Sequence, residues 1–203
     1  MPKVRVRYAP SPTGVPHVGG IRTALFNFLL AKSSKGDFIL RIEDTDRKRY
    51  IAKSVDEIKK SLESLSLKWD ECFVQSQRLD IYAKYLEQLK KKGIVYEDEG
   101  AWRYQVEKGK KLDWHDGVHG TVQFLSDTIE DFIIVKSDKF PTYHFASVVD
   151  DTEMKISHVL RGDEWLSSTP KHLMLYEALD CQPPTFIHVP VILGSDHKKL
   201  SKR

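Results

Sequence analysis

The chain has 203 residues, 40% hydrophobic and 30% charged, a mixture that builds a core in water without disulfide or metal staples. Its apolar runs stop far short of the roughly 18 residues of a membrane span, and it enters a strand pattern at once, without a secretory leader, so membrane, secreted and disordered classes are excluded. Lys and Arg number 32 against 29 Asp and Glu, a formal charge of +3 that permits an anionic partner without requiring one.

Residues 3–9 alternate polar and apolar and predict a strand. The Pro- and Gly-containing stretch 10–17 is a loop, and Val18, Ile21, Leu25, Phe28 and Leu29 then fall on one face of a helix predicted over 18–32. Residues 38–44 predict a second strand, apolar enough at its start for a buried parallel position. Ile51, Val55, Ile58, Leu62 and Leu65 mark the next helix; Leu79, Tyr82, Leu86 and Leu89 mark another that ends at Gly93. This alternation predicts an α/β fold, a Rossmann-like parallel sheet flanked by helices. From 95 to 141 the texture becomes short strands with charged turns, a small β-rich insertion. The α/β pattern then resumes with a strand ending in LRGDEW, a helix opening at Ser168 or Thr169 with Pro170 in its first turn, and a last strand in FIHVPVIL. The expected division is 1–94, the first half of the α/β domain; 95–141, the insertion; and 142–203, the second half.

Cys72 and Cys181 cannot form a disulfide framework or a four-thiolate zinc site, and they fit a reducing setting, cytoplasmic or organellar. His115 and His119 lie four apart, but Gly117 between them argues against a ligating helix, so no metal site is predicted. Basic runs at 46–50, 90–92, 108–111 and 198–203 are solvated faces taken singly and a polyanion surface taken together.

Three segments, 10–20, 41–49 and 160–165, each end a predicted strand, the edge at which an open α/β sheet binds ligands. In the first, Gly19 and Gly20 let a bulky ligand approach the backbone, the helix N-terminus favours anions, and His17 faces the same place. The second crowds three carboxylates among arginines and lysines. The third offers Arg161, Asp163, Glu164 and the indole of Trp165. The terminal KKLSKR carries Lys199 and Lys202, donors of the kind that stabilise phosphate oxygens.

In order along the chain, A-P-S-P-T-G-x-x-H-x-G-G, R-I-E-D-T-D, P-T-Y-H-F-A-S-V-V-D-D, L-R-G-D-E-W-x-x-S-T-P-x-H and K-L-S-K-R together resemble the glutamyl-tRNA synthetases over nearly the whole chain. H-V-G-G looks like the first signature of the class I aminoacyl-tRNA synthetases and K-L-S-K-R like their second. The resemblance implies a ligase that activates L-glutamate with ATP and Mg²⁺ and passes it to the acceptor end of tRNA(Glu), as a cytoplasmic monomer without membrane partner or zinc. It implies ATP binding by His17, Gly19, Gly20, Glu164, Trp165, Lys199 and Lys202, with His17, Lys199 and Lys202 catalytic and Lys202 having the strongest rate effect.

For glutamate, the resemblance implies Arg7 and Tyr143 on the side-chain carboxylate, Glu43 with Ser11 and the Ala9 backbone on the ammonium, and Arg161 facing the α-carboxylate. Ser147 stands in this pocket where many family members carry Asn. Glutamine would leave the Arg7 charge uncompensated and is expected to be rejected. The insertion, which in the family approaches the acceptor end, is short here. Family members continue beyond the lysine signature into an anticodon-binding domain absent from these 203 residues, so a truncated catalytic fragment is expected. The alternatives are the paralogue that glutamylates queuosine in tRNA(Asp), a non-catalytic tRNA-binding relative, and a generic nucleotidyltransferase.

Overall fold

The computed structural model describes residues 3–194 together with His197 and Leu200. The first half runs β1 (Arg5–Tyr8), α1 (Val18–Ser33), β2 (Asp37–Ile42), α2 (Ala52–Ser64), β3 (Glu71–Val74) and α3 (Leu79–Lys91). Gly93, at φ 66°, turns the chain off α3 as its position predicts. The strands form a parallel sheet in the order β1-β2-β3, with Arg7 opposite Ile39 and Ile39 opposite Glu71. Gly36, in the return from α1 to β2, packs so closely that a Cβ there would run into the Val4 carbonyl oxygen.

Strand alternation divides the side chains between two cores. Val6, Tyr8, Phe38, Leu40 and Ile42 pack with α1 and α2. Ile39 points the other way, into the core that holds residues of α3, α4 and α5. Arg7 and Arg41 have the same parity as Ile39, which turns two buried guanidinium groups toward that second layer.

The stretch after α3 contributes β4 (Val95–Asp98), β5 (Ala101–Tyr104), β6 (Lys111–Asp116), β7 (Gly120–Leu125) and β8 (Phe132–Val135). β4, β5 and β8 form a small antiparallel sheet. The β6–β7 hairpin instead reaches the α/β layer, where Asp116 pairs with Phe186 of β10 (Thr185–Val189). The chain then runs through α4 (Tyr143–Glu153), β9 (His158–Gly162), α5 (Thr169–Ala178) and β10, with β9 and β10 parallel. No helix among the described residues is long and apolar enough to cross a membrane.

Two elements differ from the sequence reading. The buried face of α1 carries Ala24, Asn27 and Ala31, whereas Val18, Leu25 and Leu29 are exposed. Small residues face the sheet because the helix lies close against it, and of the predicted apolar stripe only Ile21 and Phe28 pack against the core. The second is α4, a helix the sequence reading did not anticipate, with residues 145–151 all buried.

Candidate active site

The site begins where two strands part. β1 and β9 are joined at the Arg5 end, where Ser157 N–H donates to the Arg5 carbonyl at 2.9 Å and Arg5 N–H donates to Ser157 Oγ at 2.8 Å. Farther along, the Leu160 carbonyl accepts from Asn27 Nδ2 of α1 at 3.1 Å. From β1 the chain leads outward through β2 to β3, and from β9 outward to β10. The gap at the C-terminal ends of β1 and β9 is therefore the switch point of the sheet.

A cavity of about 220 Å³ occupies this gap, lined by residues including Arg7, Ala9, Ser11, Gly19, Gly20, Glu43, Tyr143, Arg161, Glu164 and Trp165. The back wall is α4. Tyr143, Ser147 and Asp151 recur every four residues and share one face of that helix. Asp151 Oδ1 accepts from Arg7 Nε at 3.0 Å and from Arg41 Nη1 at 2.6 Å, and Ser147 Oγ accepts from Arg41 Nη2 at 3.2 Å. Arg41 also donates to Glu43 Oε1 from Nη2 at 3.0 Å. Burial alone would raise the Asp151 carboxyl, but Arg41 and Arg7 hold it below the usual 3.8. Burial pushes Glu43 up against the opposing pull of the same two arginines. Two groups still face the cavity with capacity to spare. The terminal nitrogens of Arg7 and the second oxygen of Glu43 take no hydrogen bond among the described residues.

Arg161 is arranged differently. It is buried, and its five N–H groups go to neutral acceptors. Nε donates to His188 Nε2 at 3.0 Å, Nη1 to Tyr143 Oη and His172 Nδ1 at 3.2 Å each, and Nη2 to Thr169 Oγ1 at 2.8 Å and the Trp165 carbonyl at 3.3 Å. Among the described residues no carboxylate lies within ion-pair distance of it. Burial lowers its pKa, and the Arg7 charge adds to that. The Tyr143 hydroxyl accepts from Arg161, which leaves its own proton for the cavity. Trp165 packs on the Tyr143 ring with centroids 4.3 Å apart.

A second cavity, of about 600 Å³, adjoins the first and shares Gly19, Gly20, Thr23, Gly162 and Glu164 with it. His17 is the N-cap of α1, its Nδ1 accepting from Gly19 N–H at 3.0 Å. A Cβ on Gly20 would lie 3.0 Å from Tyr8 Oη, so a side chain there would have to press the tyrosine aside by a few tenths of an ångström. The far wall is Pro190–Ile192 with Leu200, and Arg22 of α1 donates to the Pro190 carbonyl. A third cavity of about 550 Å³ opens from the amino-acid-sized one past Ser11, Glu43, Tyr143 and Trp165 toward Arg47, Lys48, Arg49 and Lys136.

Of the residues singled out from sequence, Arg7, Ala9, Ser11, Glu43, Tyr143 and Arg161 thus line one cavity, and His17, Gly19, Gly20 and Glu164 line the one beside it. Trp165 lines the first and third cavities rather than the second, away from His17. Ser147 lines none of the three and lies fully buried behind them against Arg41. Lys199 and Lys202 lie outside the described residues, while Leu200 between them reaches the cavity of His17. Sequence reasoning missed Arg41, Asp151, His172 and His188. The four-residue spacing of Tyr143, Ser147 and Asp151 was the available signal for Asp151 once a helix is drawn there. Among the described residues no group of three or more His, Cys, Asp or Glu side chains is placed to hold a metal ion.

The family model described as tRNA synthetases class I (E and Q), catalytic domain, matches residues 3–102 and 99–203. A glutamate–tRNA ligase of Dehalococcoides mccartyi is 46% identical over an alignment 246 residues long, covering 99% of this chain and 50% of the relative. One from Akkermansia muciniphila is 46% identical over 216 residues, covering 100% and 50%. The crystal structure of a glutamate tRNA ligase from Elizabethkingia meningosepticum in complex with its amino acid superposes with TM-score 0.94 at 36% identity, covering 99% of this chain and 52% of that one. The chain spans about half the length of the curated relatives it matches.

Proposed function

The chain belongs to the class I tRNA synthetases of the glutamate and glutamine type, and from that premise we propose that its paired cavities activate L-glutamate with ATP for transfer to tRNA(Glu). One observation carries this reading: the smaller cavity holds two buried guanidinium groups and a buried carboxylate, the counter-charges of a dicarboxylic amino acid, and opens into a larger cavity at a helix N-terminus.

The first step needs no strong base, because the α-carboxylate is ionised near neutral pH. Its oxygen attacks the α-phosphorus of ATP, the bond to the bridging oxygen breaks, and pyrophosphate leaves. A ribose hydroxyl of the terminal tRNA adenosine then attacks the carbonyl carbon of the adenylate, and AMP departs. The protein's task is positioning and charge stabilisation.

The α-carboxylate must lie toward the shared wall of Gly19, Gly20 and Glu164, where the larger cavity begins. The side-chain carboxylate then falls at the opposite end, with Arg7 supplying a fork of two charged hydrogen bonds and Tyr143 a third. Because every N–H of Arg161 already has a neutral acceptor, this reading moves Arg161 from the α-carboxylate to the side-chain carboxylate. It acts there by charge and through the Tyr143 hydroxyl. The free oxygen of Glu43 takes the ammonium, beside Ser11 and the Ala9 backbone. His17, Gly19, Gly20 and Glu164 hold the nucleotide, and Lys199 and Lys202 stabilise the phosphate oxygens and departing pyrophosphate. Magnesium would enter with ATP and supply charge neutralisation at the phosphates. The third cavity admits the acceptor end, between Arg47–Arg49 and the β-rich stretch 95–141.

Calorimetric titration of this chain with L-glutamate, L-glutamine and ATP tests the reading. Glutamate is expected to bind and glutamine to bind at least tenfold more weakly. Arg7→Ala should abolish glutamate binding while ATP affinity stays within about twofold. Equal affinity for the two amino acids, or equal losses of glutamate and ATP binding in a folded Arg7→Ala protein, would refute it.

A further inference from the structure

The acceptors around Arg161 follow a pattern that the catalytic reading does not use. A buried arginine ordinarily has a carboxylate beside it, as Arg7 in the same pocket and Arg41 behind it do. Arg161 has two imidazole rings instead. An imidazole nitrogen that accepts from a guanidinium N–H must carry no proton, which determines both tautomers. His188 accepts at Nε2, so its proton is on Nδ1, where Asp116 Oδ2 takes it at 2.5 Å. His172 accepts at Nδ1, so its proton is on Nε2, which donates to His144 Nδ1 at 3.2 Å. The result is a buried relay, Asp116–His188–Arg161–His172–His144. In it the only carboxylate reaches Arg161 through a neutral ring.

We propose that His172 and His188 are positioning residues that hold Arg161 with neutral acceptors alone, so that its charge stays uncompensated until a ligand carboxylate arrives, and that these two rings thereby determine the preference for a carboxylate over a carboxamide side chain. This rests on the glutamate reading of the pocket and deepens it. Burial and the Arg161 charge press His172 well below the ordinary imidazole value, and burial with Lys171 and Arg161 lowers His144 to about 4, so both rings stay neutral in the working range. A carboxylate in the place of either ring would neutralise Arg161 in advance, and the ligand would then meet a pocket with one positive charge fewer. A carboxamide ligand loses nothing by that exchange; a carboxylate ligand does.

The test is a pair of substitutions at His172. His172→Glu supplies the internal counter-charge, while His172→Gln retains a neutral acceptor for Arg161 and a donor for His144. At an effective dielectric of about 20, one unit charge roughly 6–12 Å away changes carboxylate affinity by about one to two orders of magnitude. L-Glutamate affinity of His172→Glu should fall by roughly ten- to a hundredfold with ATP affinity unchanged, and the glutamate-to-glutamine preference should collapse. His172→Gln should hold both within about threefold. Nitrogen NMR of the unsubstituted chain at pH 7 gives a readout independent of ligand and of mutant folding: neutral rings, His188 protonated on Nδ1 and His172 on Nε2. A charged ring, the opposite tautomers, or equal loss of glutamate in the Glu and Gln variants overturns the proposal. Failure of the unsubstituted chain to bind glutamate at all overturns the glutamate reading itself, and the selectivity claim with it.

Discussion

Asp151 is the point at which the pocket's electrostatics can be removed without removing its shape. One oxygen of this carboxylate serves Arg7 at 3.0 Å and Arg41 at 2.6 Å, and all three side chains are at most 4% exposed. Asp151→Asn keeps an oxygen at the same place and deletes only the charge. Arg41 retains Glu43 at 3.0 Å and Asp150 at 3.9 Å, whereas Arg7 has no other carboxylate within ion-pair distance among the described residues. Leaving a buried charge uncompensated costs about 3–5 kcal/mol, and survival of the hydrogen-bond geometry places the expected loss near 3 kcal/mol. For a domain of this size that corresponds to a fall in Tm of about 10 °C. The pH dependence carries a sign of its own. The folded Asp151 carboxyl titrates below its ordinary 3.8, so its stabilisation is present in full above that value and disappears as pH falls through the lower folded one. Thermal unfolding followed by circular dichroism should show a gap between parent and Asp151→Asn that is flat from about pH 8 to pH 5 and closes below about pH 4. Calorimetry at pH 7 should show weakened glutamate binding as Arg7 loses its anchor. A variant within 1 kcal/mol of the parent, with unchanged glutamate affinity, would refute the assignment of Asp151 as the counter-charge.

The Gly20 floor of the second cavity and the hairpin contact give two further tests. Gly20→Ala places a methyl group 3.0 Å from Tyr8 Oη, and the crowding should lower stability by about 1–2 kcal/mol and weaken ATP binding, read by denaturant unfolding and calorimetry. His119, in the turn between β6 and β7, meets Asp163 Oδ1 at 2.8 Å, and that hydrogen bond raises its pKa above 6.5. The stabilisation from this raised pKa is complete below 6.5 and fades as pH rises through the folded value. NMR titration should return His119 to about 6.5 in Asp163→Asn, and the stability gap between parent and variant should narrow from pH 6 to pH 8.

How legible the site was differs from residue to residue. His17, Gly19 and Gly20 could be read directly, because a strand, a Pro- and Gly-containing loop and a helix are local patterns and their junction is a ligand edge in any open α/β sheet. Glu43 and Arg161 were found by the same rule, each near the end of a strand. Asp151 escaped because α4 was not anticipated: its residues 145–151 are all buried, so no solvent face sets off a polar stripe. The apolar stripe read for α1 was right in part: Ile21 and Phe28 meet the core, whereas Val18, Leu25 and Leu29 share the spacing but face outward, because spacing does not say which side meets the sheet.

The sequence by itself determined most of the succession of elements, the α/β class, the glycine-bearing ligand edge and the family, all of which depend on neighbours within a few residues or on the order of short motifs. Only the tertiary structure decided how the pocket's charges are partnered. Arg7 and Asp151 are 144 positions apart and Arg161 and His188 are 27 apart, so no local pattern records their contact. Nothing in the sequence distinguishes an arginine neutralised by a carboxylate from one held by imidazoles. That difference arises when β1, β9 and α4 are brought together, because a buried charge takes its character from whichever groups the fold packs against it.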